Sequence, residues 1–121
     1  MASATYDLFV RAMIEEKQVA CVFRERHRVF SPIILGHTDG EERALAWQTA
    51  GESSARLPQG GAWRNVTLSE VTEARLVDSK LRRGTRKTGE QHWVGNVDLD
   101  VNPDSPYHPR RRLSGLRLAG G

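Results

Sequence analysis

The run Val19-Ala20-Cys21-Val22-Phe23-Arg24-Glu25-Arg26-His27-Arg28-Val29-Phe30-Ser31-Pro32-Ile33-Ile34-Leu35 decides how this chain is read. Its first five residues are apolar and end on an aromatic, which predicts a strand over 19–23. The polar step Glu25-Arg26-His27 predicts a turn. A second strand resumes over 28–35, where Pro32 demands a bend or an edge because it has no backbone N–H to donate. Cys21 is the one cysteine of the chain, so no intrachain disulfide can form. Within this apolar run it reads as a buried, reduced thiol of a cytoplasmic protein.

Upstream, Tyr6, Phe9, Val10, Met13 and Ile14 recur at helical spacing with Asp7, Arg11, Glu15 and Glu16 between them. This predicts an amphipathic helix over 6–17, with Thr5 as its cap and Phe9, Val10, Met13 and Ile14 covering the core. Downstream, Thr38-Asp39-Gly40 signals a turn and 43–48 alternates as a strand. Residues 50–61 read as a long loop. A strand over 63–68, a tight turn at Leu68-Ser69-Glu70-Val71 and a closing strand over 74–77 follow. One helix and about five short strands predict a mainly β fold: an N-terminal α-helix plus a small five-stranded SH3/Sm-like antiparallel barrel.

The chain has 121 residues, 27% of them charged, in keeping with one globular domain. Charge is uneven along it. Residues 79–121 hold nine Lys/Arg against four acids, whereas residues 1–78 hold nine against eleven. The reading divides the chain into a helix plus barrel over 1–78, an extension with an added strand over 79–109, and a mobile basic tail over 110–121. In the extension, 93–101 alternates, with Val97, Leu99 and Val101 facing inward. No apolar run nears the length of a membrane span, so no membrane partner is expected.

Catalytic constellations are not visible. His27, His37, His92 and His108 are scattered singly, which argues against a zinc site. Asp98 and Asp100 share a strand face and could hold a hard cation, but two carboxylates are few for that role. A solvated polar face opposite Val97 and Leu99 is the preferred reading. No phosphate loop, dinucleotide fingerprint or nucleophile elbow occurs. The expectation is no enzyme, no cofactor and no metal.

The basic groups carry more. Arg24, Arg26 and Arg28 flank the first turn. Arg82, Arg83, Arg86 and Lys87 open the extension and are the candidate nucleic-acid contacts. Trp63 beside Arg64, with Trp47, offers stacking faces and a guanidinium. In an extended strand Trp63 and Arg64 point to opposite faces. The expectation is Trp63 inside and Arg64 outside, because a small core needs bulk.

These residues resemble the WYL domain family, an Sm-like β-barrel module. The likeness lies in Val22-Phe23-Arg24, Arg28-Val29-Phe30-Ser31-Pro32, Leu45-Ala46-Trp47-Gln48-Thr49-Ala50-Gly51-Glu52-Ser53 and Trp63-Arg64-Asn65-Val66-Thr67-Leu68. Val97-Asp98-Leu99-Asp100-Val101-Asn102 is similar to the end of a short stand-alone branch of that family. The chain departs from the family at the name-giving tripeptide, replaced by Arg43-Ala44-Leu45. Thr67 and Glu70 stand where basic side chains are usual, and Arg28 and Arg64 remain as the basic candidates. The resemblance implies a ligand sensor of the kind found beside DNA-binding domains in bacterial regulators. The implied ligand is a small molecule, a nucleotide or a nucleic acid.

The ligand-binding residues expected are Arg28, Trp47, Gln48, Ser53 and Arg64. The competing expectation is a protein-interaction or assembly module, a homo-oligomer that uses a barrel edge or the C-terminal strand.

Overall fold

In a computed structural model, the structure describes residues 2–51, 61–82 and 91–101. The chain begins with helix α1, Ala4–Glu15. Ser3 caps it, not Thr5: the Ser3 Oγ accepts from the Tyr6 N–H at 3.1 Å, which satisfies one of the orphan donors of the first turn. Glu16 ends the helix in the left-handed conformation, with φ 54° and its N–H bonded to the Ala12 carbonyl. The buried stripe is Tyr6, Phe9, Ala12 and Met13, while Val10 and Ile14 are only half-buried. The expected face is therefore rotated toward Ala12, whose small side chain lets the helix lie close to the sheet.

Six strands form one antiparallel sheet: β1 Lys17–Phe23, β2 Arg26–Thr38, β3 Glu41–Gly51, β4 Ala62–Thr67, β5 Val71–Lys80 and β6 Asn96–Asp100. Both early hairpins close on two residues with positive φ, Arg24-Glu25 and Asp39-Gly40. That geometry matches the twist of the flanking strands. The first turn thus falls one residue earlier than the polar run suggests, and Arg26 and His27 belong to β2.

The main path runs β4-β3-β2-β1-β5. Its two outer strands, β4 and β5, are consecutive in sequence and separated only by the 3-10 turn Leu68–Glu70. Laid flat, five strands would hold their outer members about 19 Å apart. A three-residue 3-10 turn advances only about 6 Å. The sheet must therefore curl until its edges converge at this turn. Among the described residues no ladder joins β4 to β5. The expected five-stranded barrel is thus not closed by hydrogen bonds, and the sheet proper has six strands.

β2 is long because it changes partner. Its first half pairs with β1 through Phe30, and its second half pairs with β6 from Ile34. Pro32, which cannot donate, sits at the handover, and Ile33 is the extra residue of a bulge against β3. β6 can lie this close because residue 36 is glycine: a Cβ there would stand 1.9 Å from the Asn96 carbonyl oxygen. Trp93 seats the approach to β6. Its Nε1–H donates to the Val66 carbonyl at 3.2 Å, and the Arg43 guanidinium lies 4.0 Å over its ring.

The core lies between α1 and the curl, around Phe9, Met13, Val19, Phe30, Leu35, Leu45, Val66, Leu68 and Leu99. Each large side chain buried there contributes about 1.5–3 kcal/mol. Val97, Leu99 and Val101 are buried as expected. Asp98 and Asp100 are buried too, which corrects the reading of a solvated face. The reason for Asp98 is long-range: the Tyr6 hydroxyl from α1 donates to its carboxylate, and Nδ1 of His37 from β2 lies 3.0 Å from the same oxygen. Among the described residues no helix is long and apolar enough to cross a membrane. The expected tail from 110 onward lies outside the described residues.

Candidate anion-binding site

The sheet register brings three of the expected site residues together. Gln48 of β3 pairs with Phe30 of β2, and Ala46 of β3 pairs with Arg64 of β4. Residues two apart on a strand share a face, so Arg28, Phe30, Ala46, Gln48 and Arg64 all stand on one face of the sheet. Gly51 allows the end of β3 to close on this point. Its φ is 103°, and a Cβ would come within 2.6 Å of the Arg28 Cα.

The side chains converge on one atom. The Arg28 Nη1 donates to the Gln48 Oε1 at 3.1 Å, and the Arg64 Nε donates to the same oxygen at 2.9 Å. Gln48 is fully buried, and its amide nitrogen donates to the Ala50 carbonyl at 3.2 Å. The Arg28 Nε also donates to the Phe23 carbonyl at 3.0 Å, so its guanidinium is fixed from both ends. Arg28 is only 8% exposed, a rare state for arginine, whereas Arg64 is half-buried and reaches the rim.

Several positive charges act on Arg28. Burial holds the Arg28 guanidinium below its ordinary pKa, and the charges of Arg64, Arg26 and Arg24 push it further in the same direction. Among the described residues no carboxylate forms an ion pair with Arg28. The acceptor the two guanidinium groups share is a neutral amide oxygen.

Cys21, opposite Arg28 in the β1–β2 register, is not a reactive neighbour. Burial pushes its thiol up to about 11, against which the nearby Arg28 charge acts only in part. Such a thiol is protonated and inert near neutrality.

The tryptophans lie elsewhere. Trp47 and Trp63 face each other across β3 and β4 on the opposite face, with ring centres 5.1 Å apart at 76°. Trp47 is buried and Trp63 is half-buried. The two side chains at 63–64 do take opposite faces, but both are half-buried: Trp63 packs against the core through Trp47, and Arg64 shares the face of the buried Gln48, Phe30 and Val66. The physical reason is that Gln48 supplies a polar anchor inside, so the inner face can hold a guanidinium. Trp47 therefore does not join Arg28, Gln48 and Arg64.

Arg82 is exposed, with its backbone N–H bonded to Ser31 Oγ at 2.9 Å beside Trp47, and is not part of the arginine cluster. Ser53, Arg83, Arg86 and Lys87 lie outside the described residues. Two features escaped sequence reasoning. Phe23 underlies Arg28, with its ring centre 5.3 Å from the guanidinium carbon. The Tyr6–Asp98–His37 contact joins residues that no sequence pattern links.

Among the described residues no group of three or more His, Cys, Asp or Glu side chains could hold a metal ion. Compared with known proteins, the chain matches no family model, no curated protein and no solved structure.

Proposed function

We propose that this chain is a WYL-like regulatory module that binds an anionic ligand, a nucleotide or a nucleic-acid segment, rather than an enzyme. The observation that carries the reading is the buried Arg28 and the half-buried Arg64 donating to a single neutral oxygen of Gln48. Guanidinium groups are the usual partners of phosphate and carboxylate oxygens, and two of them converge here. In this reading the curled sheet is an SH3/Sm-like barrel, and the arginines stand on its inner face near the converging edges.

The assembly reading narrows. β6 pairs with β2 inside the chain along one of its edges. The other edge of β6 and the outer edges of β4 and β5 are where a neighbour would pair. Homo-oligomerisation through them would appear in light scattering as a mass above that of one chain.

The deciding experiment is a thermal-shift titration with nucleotides and short oligonucleotides. A ligand that binds the folded state raises the melting temperature in proportion to the logarithm of its concentration. Arg64→Ala should abolish the shift. A wild-type chain whose melting temperature no nucleotide or oligonucleotide moves would refute the proposal.

A further inference from the structure

The β1–β2 turn holds an arginine where the backbone disfavours one. Arg24 has φ 51° and Glu25 has φ 64°, and neither is glycine. Turns of this kind favour Asn-Gly, because a Cβ is strained in the left-handed region. Residues kept in such a conformation cluster at binding sites, so the observed strain is a reason to ask what Arg24 does.

Its position supplies an answer. The Arg24 guanidinium carbon lies 5.1 Å from the centre of the Phe23 ring, and that of Arg28 lies 5.3 Å from the same centre. One aromatic ring thus carries both the buried arginine of the anion site and an exposed one at its rim. Arg24 is also close enough to act on the Arg28 charge. The carboxylate that Arg24 meets is Glu70, at the end of the 3-10 turn, 3.3 Å from its Nε. Both side chains are largely exposed, 62% and 47%, so this pair is a weak one that a ligand anion can displace.

We propose that Arg24 is an outer arm of the anion site, held in reserve by Glu70, and that the ligand carries at least two linked anionic groups, as a polyphosphate chain does. The inference rests on the reading of Arg28, Gln48 and Arg64 as an anion site. The inner arginines take one group, and the second displaces Glu70 from Arg24. Glu70 then acts as an internal competitor for the second anionic group, one that a singly anionic ligand on the inner arginines does not meet.

The test is isothermal titration of the full chain with inorganic phosphate and with tripolyphosphate, read as the ratio of the two affinities. Arg24→Asn removes the guanidinium and places a residue that tolerates the left-handed turn. It should lower the tripolyphosphate preference about three- to fivefold, the scale of one exposed charge pair. Glu70→Gln frees Arg24 and should raise the preference. An unchanged ratio in both variants, with phosphate still bound, would overturn the outer arm and leave the inner site standing. Failure of the wild-type chain to bind either ion would overturn the inner site and the arm with it. If Arg24→Asn lowered the melting temperature, the rise expected for Glu70→Gln would decide alone, since that substitution leaves the β1–β2 backbone untouched.

Discussion

Arg28 and Arg64, two strands apart, donate to the same oxygen of Gln48, at 3.1 and 2.9 Å. Both groups are cations, and the atom they share is neutral. The shared oxygen holds the two guanidinium groups together by hydrogen bonds. In the proposed reading this pair is what an anion would meet.

Gln48→Glu tests the imbalance. A carboxylate at this position would lie between two guanidinium groups and form charge-assisted bonds with both. The variant should unfold at higher urea than wild type, by about 1–3 kcal/mol, and should lose anion binding, because the site then holds its own anion. Urea titration and phosphate titration on the same sample check both halves. Stability gained without loss of binding would place the ligand elsewhere.

The tryptophan pair should respond unequally. Trp47→Ala empties a buried site and should cost about 3–5 kcal/mol. Trp63 is half-buried at the sheet edge, so Trp63→Ala should cost less, about 1–3 kcal/mol. Chemical denaturation followed by circular dichroism reads the order. Equal losses would contradict the placement of Trp63.

The Tyr6 hydroxyl supports a buried carboxylate. Tyr6→Phe leaves Asp98 short of a donor and should destabilise the fold by about 1–3 kcal/mol with little loss of packing. Amide exchange should rise most at Val97 to Asp100, because Asp98 ties β6 to α1. Uniform exchange across the chain would mean that the contact does not hold β6 in particular.

Cys21 predicts a loss of stability in alkali. Its thiol is raised from an ordinary 9.0 to about 11 by burial. The folded chain keeps the proton in a range where the unfolded chain has lost it, so unfolding is favoured as pH rises. The contribution of Cys21 is whole below pH 9 and lost as pH climbs toward 11, at about 1.4 kcal/mol per pH unit. Cys21→Ala should remove this slope from the difference between the two unfolding curves. A thiol reagent should label Cys21 near neutrality only as fast as the chain opens.

Much of the local structure was legible in the sequence. Asp39-Gly40 determined a hairpin turn because those residues accept positive φ. The alternation of Val97, Leu99 and Val101 determined a strand, and the side it left to solvent is buried as well. The apolar run at 19–23 determined β1, and Pro32 marked the bend where β2 changes partner. Arg28, Gln48 and Arg64 were singled out as candidates by chemical type and by resemblance. What the tertiary structure decided is which of them meet. The Thr49 bulge in β3 and the Ile33 bulge in β2 set the registers that bring Arg28, Gln48 and Arg64 to one face. A shift of one residue in any of these ladders would turn a side chain to the other face. At Trp63 and Arg64 the registers leave both side chains half-buried, one on each face, where the sequence rule expects one inside and one outside. The burial of Asp98 was likewise decided by Tyr6, its hydrogen-bond donor from the far end of the chain. Local sequence determines which conformation a segment prefers. Burial and charge compensation depend on long-range neighbours, and only the folded chain supplies those.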